Sequence, residues 1–119
     1  MIVDDDKEFG DVLVRKLQLL GIHADFHHGP FGTVNAIRKG DYDLVILDVR
    51  MPALEGPRIA ELLKNRKGMK EPKIILLSAL NTDELRHVAA GIGVEAYVSK
   101  RSPMSEILKT IVSVLGPPS

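Results

Sequence analysis

The chain has 119 residues, 45% of them hydrophobic and 27% charged, which fits one folded domain around a single core and argues against disorder. Sixteen Lys and Arg balance sixteen Asp and Glu, so there is no basic field to hold nucleic acid or an anionic membrane. The absence of cysteine excludes disulfides, thiolate zinc, iron–sulfur clusters and thiol catalysis, and no apolar run nears the roughly 18 residues a membrane span needs.

Short apolar runs alternate with helical patterns along the chain. Ile2-Val3 is a brief strand. It is followed by Phe9, Val12, Leu13, Leu17 and Leu20 at spacings of three and four, one face of a helix that Gly21 closes. Ile22, Ala24 and Phe26 alternate with His23, Asp25 and His27, which predicts a half-buried edge strand. Val34, Ile37 and Phe31 belong to a short second helix ended by Gly40. Leu44-Val45-Ile46-Leu47 and Ile74-Ile75-Leu76-Leu77 are continuous apolar runs, as expected of strands covered on both faces. Between them, Pro57 opens a third helix carrying Ile59, Leu62 and Leu63. Asn81 or Thr82 caps a fourth helix with Leu85, Val88 and Ala89 inward. Tyr97-Val98 is the fifth strand. Ser102 caps a last helix that has Pro103 in its first turn and Ile107, Leu108, Ile111, Val112 and Leu115 inward. Residues 1–115 are therefore expected to form the domain, and Gly116-Pro117-Pro118-Ser119 the start of a linker or tail.

Five βα units of this kind predict an α/β fold: a doubly wound, three-layer (βα)5 sandwich with a parallel sheet and right-handed crossovers. Ligands of such sheets collect beyond the carboxyl ends of the strands. There the first strand ends in Asp4-Asp5-Asp6, the third in Asp48, the fourth in Ser78 and the fifth in Lys100. Crowded carboxylates repel unless a cation compensates, and a hard divalent ion with oxygen ligands suits them. A lysine supplies a point charge for a phosphoryl oxygen, and an aspartate can be phosphorylated as a nucleophile. Asp6 also suits a helix start, where an acid caps free amides and complements the dipole. His27 and His28 are adjacent, so on a strand they point to opposite faces and make a poor metal pair, and His87 fits a helix surface.

Four segments resemble the receiver domains of two-component response regulators. They are Ile2-Val3-Asp4-Asp5-Asp6, Asp43 through Pro52 with Gly56, Leu77-Ser78-Ala79, and Gly93 through Lys100. The resemblance covers nearly the whole chain. It implies the flavodoxin-like strand order 2-1-3-4-5 and a signalling switch in place of an enzyme that turns over a free metabolite. Asp48 would accept phosphate, and Mg²⁺ (or Mn²⁺) would be held by Asp5, Asp4, Asp48 and the carbonyl of Arg50. Ser78, the Ala79 amide and Lys100 would meet the phosphoryl group, and Tyr97 would be the aromatic switch. The implied partners are a sensor histidine kinase or phosphotransfer protein, and an output domain or partner docked on the fourth helix, fifth strand and last helix around Tyr97 and Arg101. A homodimer through that face is compatible, direct nucleic-acid or membrane contact is not expected, and the setting is cytoplasmic.

Two departures stand out. Arg101 occupies the place of the family's proline after the lysine, which bears on how Lys100 reaches the site. Arg50 and Leu80 lie two residues beyond Asp48 and Ser78, where side chains influence attack of water on the acyl phosphate; the apolar Leu80 predicts a long-lived phosphate. Arg101 and the short first strand also leave an alternative, a phosphorylation-independent pseudo-receiver that keeps the fold as an interaction module. A flavin carrier is rejected, because three aspartates after the first strand would repel a cofactor phosphate.

Overall fold

The computed structural model describes residues 1–29, 31–48, 71–79 and 82–116. Elements run β1 (Ile2–Asp4), α1 (Lys7–Leu19), β2 (Phe26–His28), α2 (Thr33–Lys39), β3 (Leu44–Asp48), β4 (Lys73–Ser78), α3 (Thr82–Ile92), β5 (Ala96–Ser99) and α4 (Met104–Leu115), the helices being numbered among the described residues. The five strands are all parallel, in the order β2-β1-β3-β4-β5. The third predicted helix, with Pro57, Ile59, Leu62 and Leu63, lies outside the described residues, as do Asn81 and the side chains of Thr82, Leu85 and Val88.

Strand alternation divides the core into two halves. Val3, Val45, Leu47, Ile74 and Leu76 point to one face, where Ile37 of α2 and Ala89 of α3 pack on them. Ile2, Leu44, Ile46, Ile75, Leu77 and Val98 point to the other, against Leu13 and Leu17 of α1 and Ile107 and Ile111 of α4. This is the three-layer arrangement that the two doubly apolar runs require: β3 and β4 are central, and a central strand has no solvent face.

Local chemistry sets the ends. Asp6 caps α1 by accepting the Phe9 amide at 3.1 Å. At the other end Gly21 takes φ 77°, its amide donates to Gln18 and the Ile22 amide reaches back to Leu17, both at 3.0 Å, a Schellman cap. That cap draws Ile22 into the end of α1, so the expected strand over Ile22–Phe26 is displaced and β2 begins at Phe26. Four expected inward residues face solvent. Val12 and Val112 lie one helical step, about 100°, from the buried Leu13 and Ile111. Leu20 sits in the cap itself, and Phe31, 78% exposed, precedes the N-cap of α2, Gly32. Ser102 does not cap the last helix: its amide closes a turn on the Ser99 carbonyl at 3.0 Å. Pro103 is the N-cap instead, its carbonyl accepting from Glu106 at 2.9 Å.

Candidate functional site

The ladder registers bring the predicted residues to one edge. Ile2 pairs with Ile46 and Val3 with Leu47, so Asp4 and Asp48 come next on neighbouring strands. Asp48 pairs with Leu77, and Ser78 with Ser99, which places Ser78 and Lys100 within a residue of the same line. Sequence distance is erased by parallel pairing, and residues 4, 48, 78 and 100 become neighbours at the carboxyl edge.

Asp4, Asp5 and Asp48 each present a carboxylate oxygen, all within 4.8 Å of one another. Asp4 is fully buried and Asp48 nearly so. Asp4 Oδ1 accepts the Asp6 amide at 2.9 Å. Its Oδ2 lies 2.7 Å from Lys100 Nζ, an ion pair that still leaves Oδ2 without a well-directed hydrogen bond. Lys100 Nζ is also 3.3 Å from Asp48 Oδ2. Burial of Lys100 works against its charge, but contact with Asp4 and the nearby charges of Asp48 and Asp4 outweigh it and hold its pKa above the ordinary lysine value. Among the described residues the cluster is thus three acids against one ammonium. Its surplus of negative charge, its all-oxygen donors and the poorly satisfied buried oxygen of Asp4 fit a hard divalent cation such as Mg²⁺.

Ser78 is buried at the end of β4, and its carbonyl accepts the Lys100 amide at 2.8 Å, anchoring the lysine's backbone. Ala79 follows it, exposed. Lys100 and Arg101 occupy the turn closed by Ser102 on Ser99, and the Arg101 amide bonds Ser99 Oγ at 3.1 Å. With arginine where the family has proline, Lys100 still reaches both carboxylates. Tyr97 is half-buried and packs on the core half beneath α2 and α3, in register with Leu76. Arg50 and Leu80 lie outside the described residues.

Three contacts lie beyond what the sequence pattern shows. His28 Nε2 donates to the Asp5 carbonyl at 2.9 Å, tying β2 to the acidic loop, whereas His27 Nε2 bonds the Phe31 carbonyl at 2.6 Å. The register Asp4↔His28, set only in the folded sheet, brings His28 beside the acidic loop. Phe9, read as core, places its ring face 5.0 Å from Lys100 Nζ.

A parallel 2-1-3-4-5 sheet whose carboxyl edge gathers three aspartates and a lysine defines an α/β protein of flavodoxin-like fold with an acidic edge site. Residues 1–112 match the response regulator receiver domain family, and the chain belongs to that family. Among curated proteins it is similar to the transcriptional regulatory protein CusR of Escherichia coli strain K12, 33% identical over 116 residues that cover 97% of this chain and 50% of CusR. PcoR of Escherichia coli is 31% identical over 117 residues, with 97% and 50% coverage. The chain therefore spans about half the length of these relatives. Among solved structures, the response regulator TrrA of Thermotoga maritima in complex with Mg(2+)-BeF has TM-score 0.81 and 28% identity, with 95% of each chain covered. The BeF3-activated receiver domain of Klebsiella pneumoniae RstA has TM-score 0.84 at 24% identity, covering 96% of this chain and 95% of that one, a likeness of fold. Among the described residues no helix is long and apolar enough to cross a membrane.

Proposed function

We propose that Asp48 accepts a phosphoryl group from a histidine kinase or phosphotransfer protein and that the modification changes which partner the domain binds. One observation carries this: Asp48 lies within 4.8 Å of the Asp4 and Asp5 carboxylates and 3.3 Å from Lys100 Nζ. A carboxylate oxygen of Asp48 attacks phosphorus, the phosphorus–nitrogen bond to the donor imidazole breaks, and that bond's electron pair stays on the imidazole nitrogen. Lys100 balances negative charge on the phosphoryl oxygens, and Ser78 with the Ala79 amide offers hydrogen-bond donors. Asp5, Asp4, Asp48 and the carbonyl of Arg50 would hold Mg²⁺ (or Mn²⁺), which when bound neutralises oxygen charge during transfer. The complex of TrrA with Mg(2+)-BeF supports this assignment.

Residues 1–115 then act as the receiver unit, in the cytoplasm, and 116–119 as the start of a linker or tail. Tyr97 and Arg101, with α3, β5 and α4, supply the face that an output domain or a second receiver reads. The coupling is a population shift, biased by the phosphoryl group's contacts with Ser78 and Lys100. Relatives named as transcriptional regulatory proteins support control of transcription as the output.

Acetyl phosphate with Mg²⁺, followed by mass spectrometry of the intact chain, tests the proposal. The expected result is a gain of one phosphoryl group on wild type and none on Asp48→Ala. An unlabelled wild type would overturn it in favour of the phosphorylation-independent module.

A further inference from the structure

The ring of Phe9 stands over the ammonium that the proposed reaction depends on. Its centroid is 5.0 Å from Lys100 Nζ, inside the range of about 6 Å over which an aromatic face attracts a cation. We infer that Phe9 is a positioning residue: its ring steers the Lys100 ammonium and thereby sets how well the cluster binds a phosphoryl group. This deepens the phosphoacceptor reading and rests on it.

The ring is itself held. Phe9 stands in the first turn of α1, its amide bonded to Asp6 Oδ1 at 3.1 Å, and it packs half-buried on the core shared by α1 and α4. The Asp6 amide in turn donates to Asp4 Oδ1 at 2.9 Å. One short turn therefore presents both a carboxylate, that of Asp4, and an aromatic face to the same ammonium. Lysine needs such guidance because its four-carbon stem is flexible and its charge is a mobile point. A further acid placed against Nζ would also attract it, but it would compete for the N–H donors. A ring face attracts the charge as a quadrupole and leaves those donors for phosphoryl oxygens.

Beryllofluoride with Mg²⁺ is the probe, titrated into the whole chain. Phe9→Leu, which keeps apolar bulk and removes the ring, should bind it roughly three- to tenfold more weakly. Phe9→Tyr, which keeps the ring, should restore wild-type binding. The urea midpoint of Phe9→Leu should stay near wild type, and Phe9→Met serves as a second non-aromatic chain should leucine perturb folding. In wild type the Lys100 ε-methylene proton resonances should be shifted upfield by the ring, and Phe9→Leu should abolish that shift. Unshifted resonances in wild type, or aliphatic variants that bind beryllofluoride as wild type does, would overturn the inference alone. A wild type that binds no beryllofluoride overturns the phosphoacceptor reading and this one with it.

Discussion

The ammonium of Lys100 lies 2.7 Å from Oδ2 of the fully buried Asp4, closer than the 3.3 Å that separates it from Asp48. The lysine is thus first a counter-ion to Asp4. Removing one partner of a buried pair leaves the other charge uncompensated, so Lys100→Met should lower stability by about 2–4 kcal/mol in metal-free buffer, measured by urea unfolding. The same variant should bind Mg²⁺ more tightly than wild type, because a competing cation has left the cluster. Weaker Mg²⁺ binding in Lys100→Met would show that the ammonium does not compete for these acids.

Magnesium should stabilise the wild-type chain. A ligand that binds only the folded state at ten times its Kd contributes about 1.4 kcal/mol, visible as a rise in Tm. Asp5→Asn should lose most of that rise. Asp5 is the informative position, because Asp4 also holds the Asp6 amide and Lys100, and its loss would disturb the loop directly.

Tyr42 donates its hydroxyl to Asp25 Oδ2 at 2.6 Å, near the amino-terminal edge of the sheet. That bond, with burial and the Asp25 charge adding to it, raises the Tyr42 pKa to about 12. The same bond is the main reason Asp25 is held below its ordinary value. For Tyr42 the stabilisation is whole below pH 10 and is lost as pH climbs towards 12. For Asp25 it is present above pH 3.8 and fades as pH falls below that. The Asp25 side chain is 46% exposed, so the gain is screened to below about 1 kcal/mol. The phenolate absorbance of Tyr42, taken as wild type minus Tyr42→Phe, should have its midpoint near 12 and move towards 10 in Asp25→Ala.

Glu95 closes the start of the β4–β5 pair. Its Oε2 accepts the Ile74 amide at 2.6 Å, and its own amide donates to the Ile74 carbonyl at 3.1 Å. Ile74 is fully buried, so Glu95→Ala strands a donor and should cost about 1–3 kcal/mol in urea unfolding. Glu95→Gln retains an acceptor oxygen and should cost less.

Gly10 sits inside α1 with the Phe26 ring against it, and a methyl group there would run into ring carbons. Alanine ordinarily gains about 1 kcal/mol over glycine within a helix. Here Gly10→Ala should destabilise instead, by about 1–3 kcal/mol, as overpacking does. Adding Phe26→Leu should return part of the loss, read as a coupling energy between the two sites.

Much of this is legible in the amino-acid sequence. The apolar runs at 44–47 and 74–77 announced central strands because only such strands need no polar face, and Asp6 before a helical pattern announced a cap. What misled was boundary geometry. The Schellman cap at Gly21 absorbed Ile22, and the Ser99–Ser102 turn took the amide of the residue expected to cap the last helix. Val12 and Val112 are apolar at plausible spacings yet stand a helical step from the buried stripe, and Leu20 and Phe31 lie beyond the helix ends. A pattern of residue types does not say where the stripe is centred; packing does.

By itself the chain determined which chemistry is available and at which strand ends it stands, since alternation and periodicity are local properties of the backbone. Only the tertiary structure decided that Lys100 leans to Asp4, that Phe9 faces that lysine and that His28 braces Asp5. Those contacts join residues up to 96 positions apart, and their distances follow from strand register and side-chain direction, which are set only when the sheet and helices pack together.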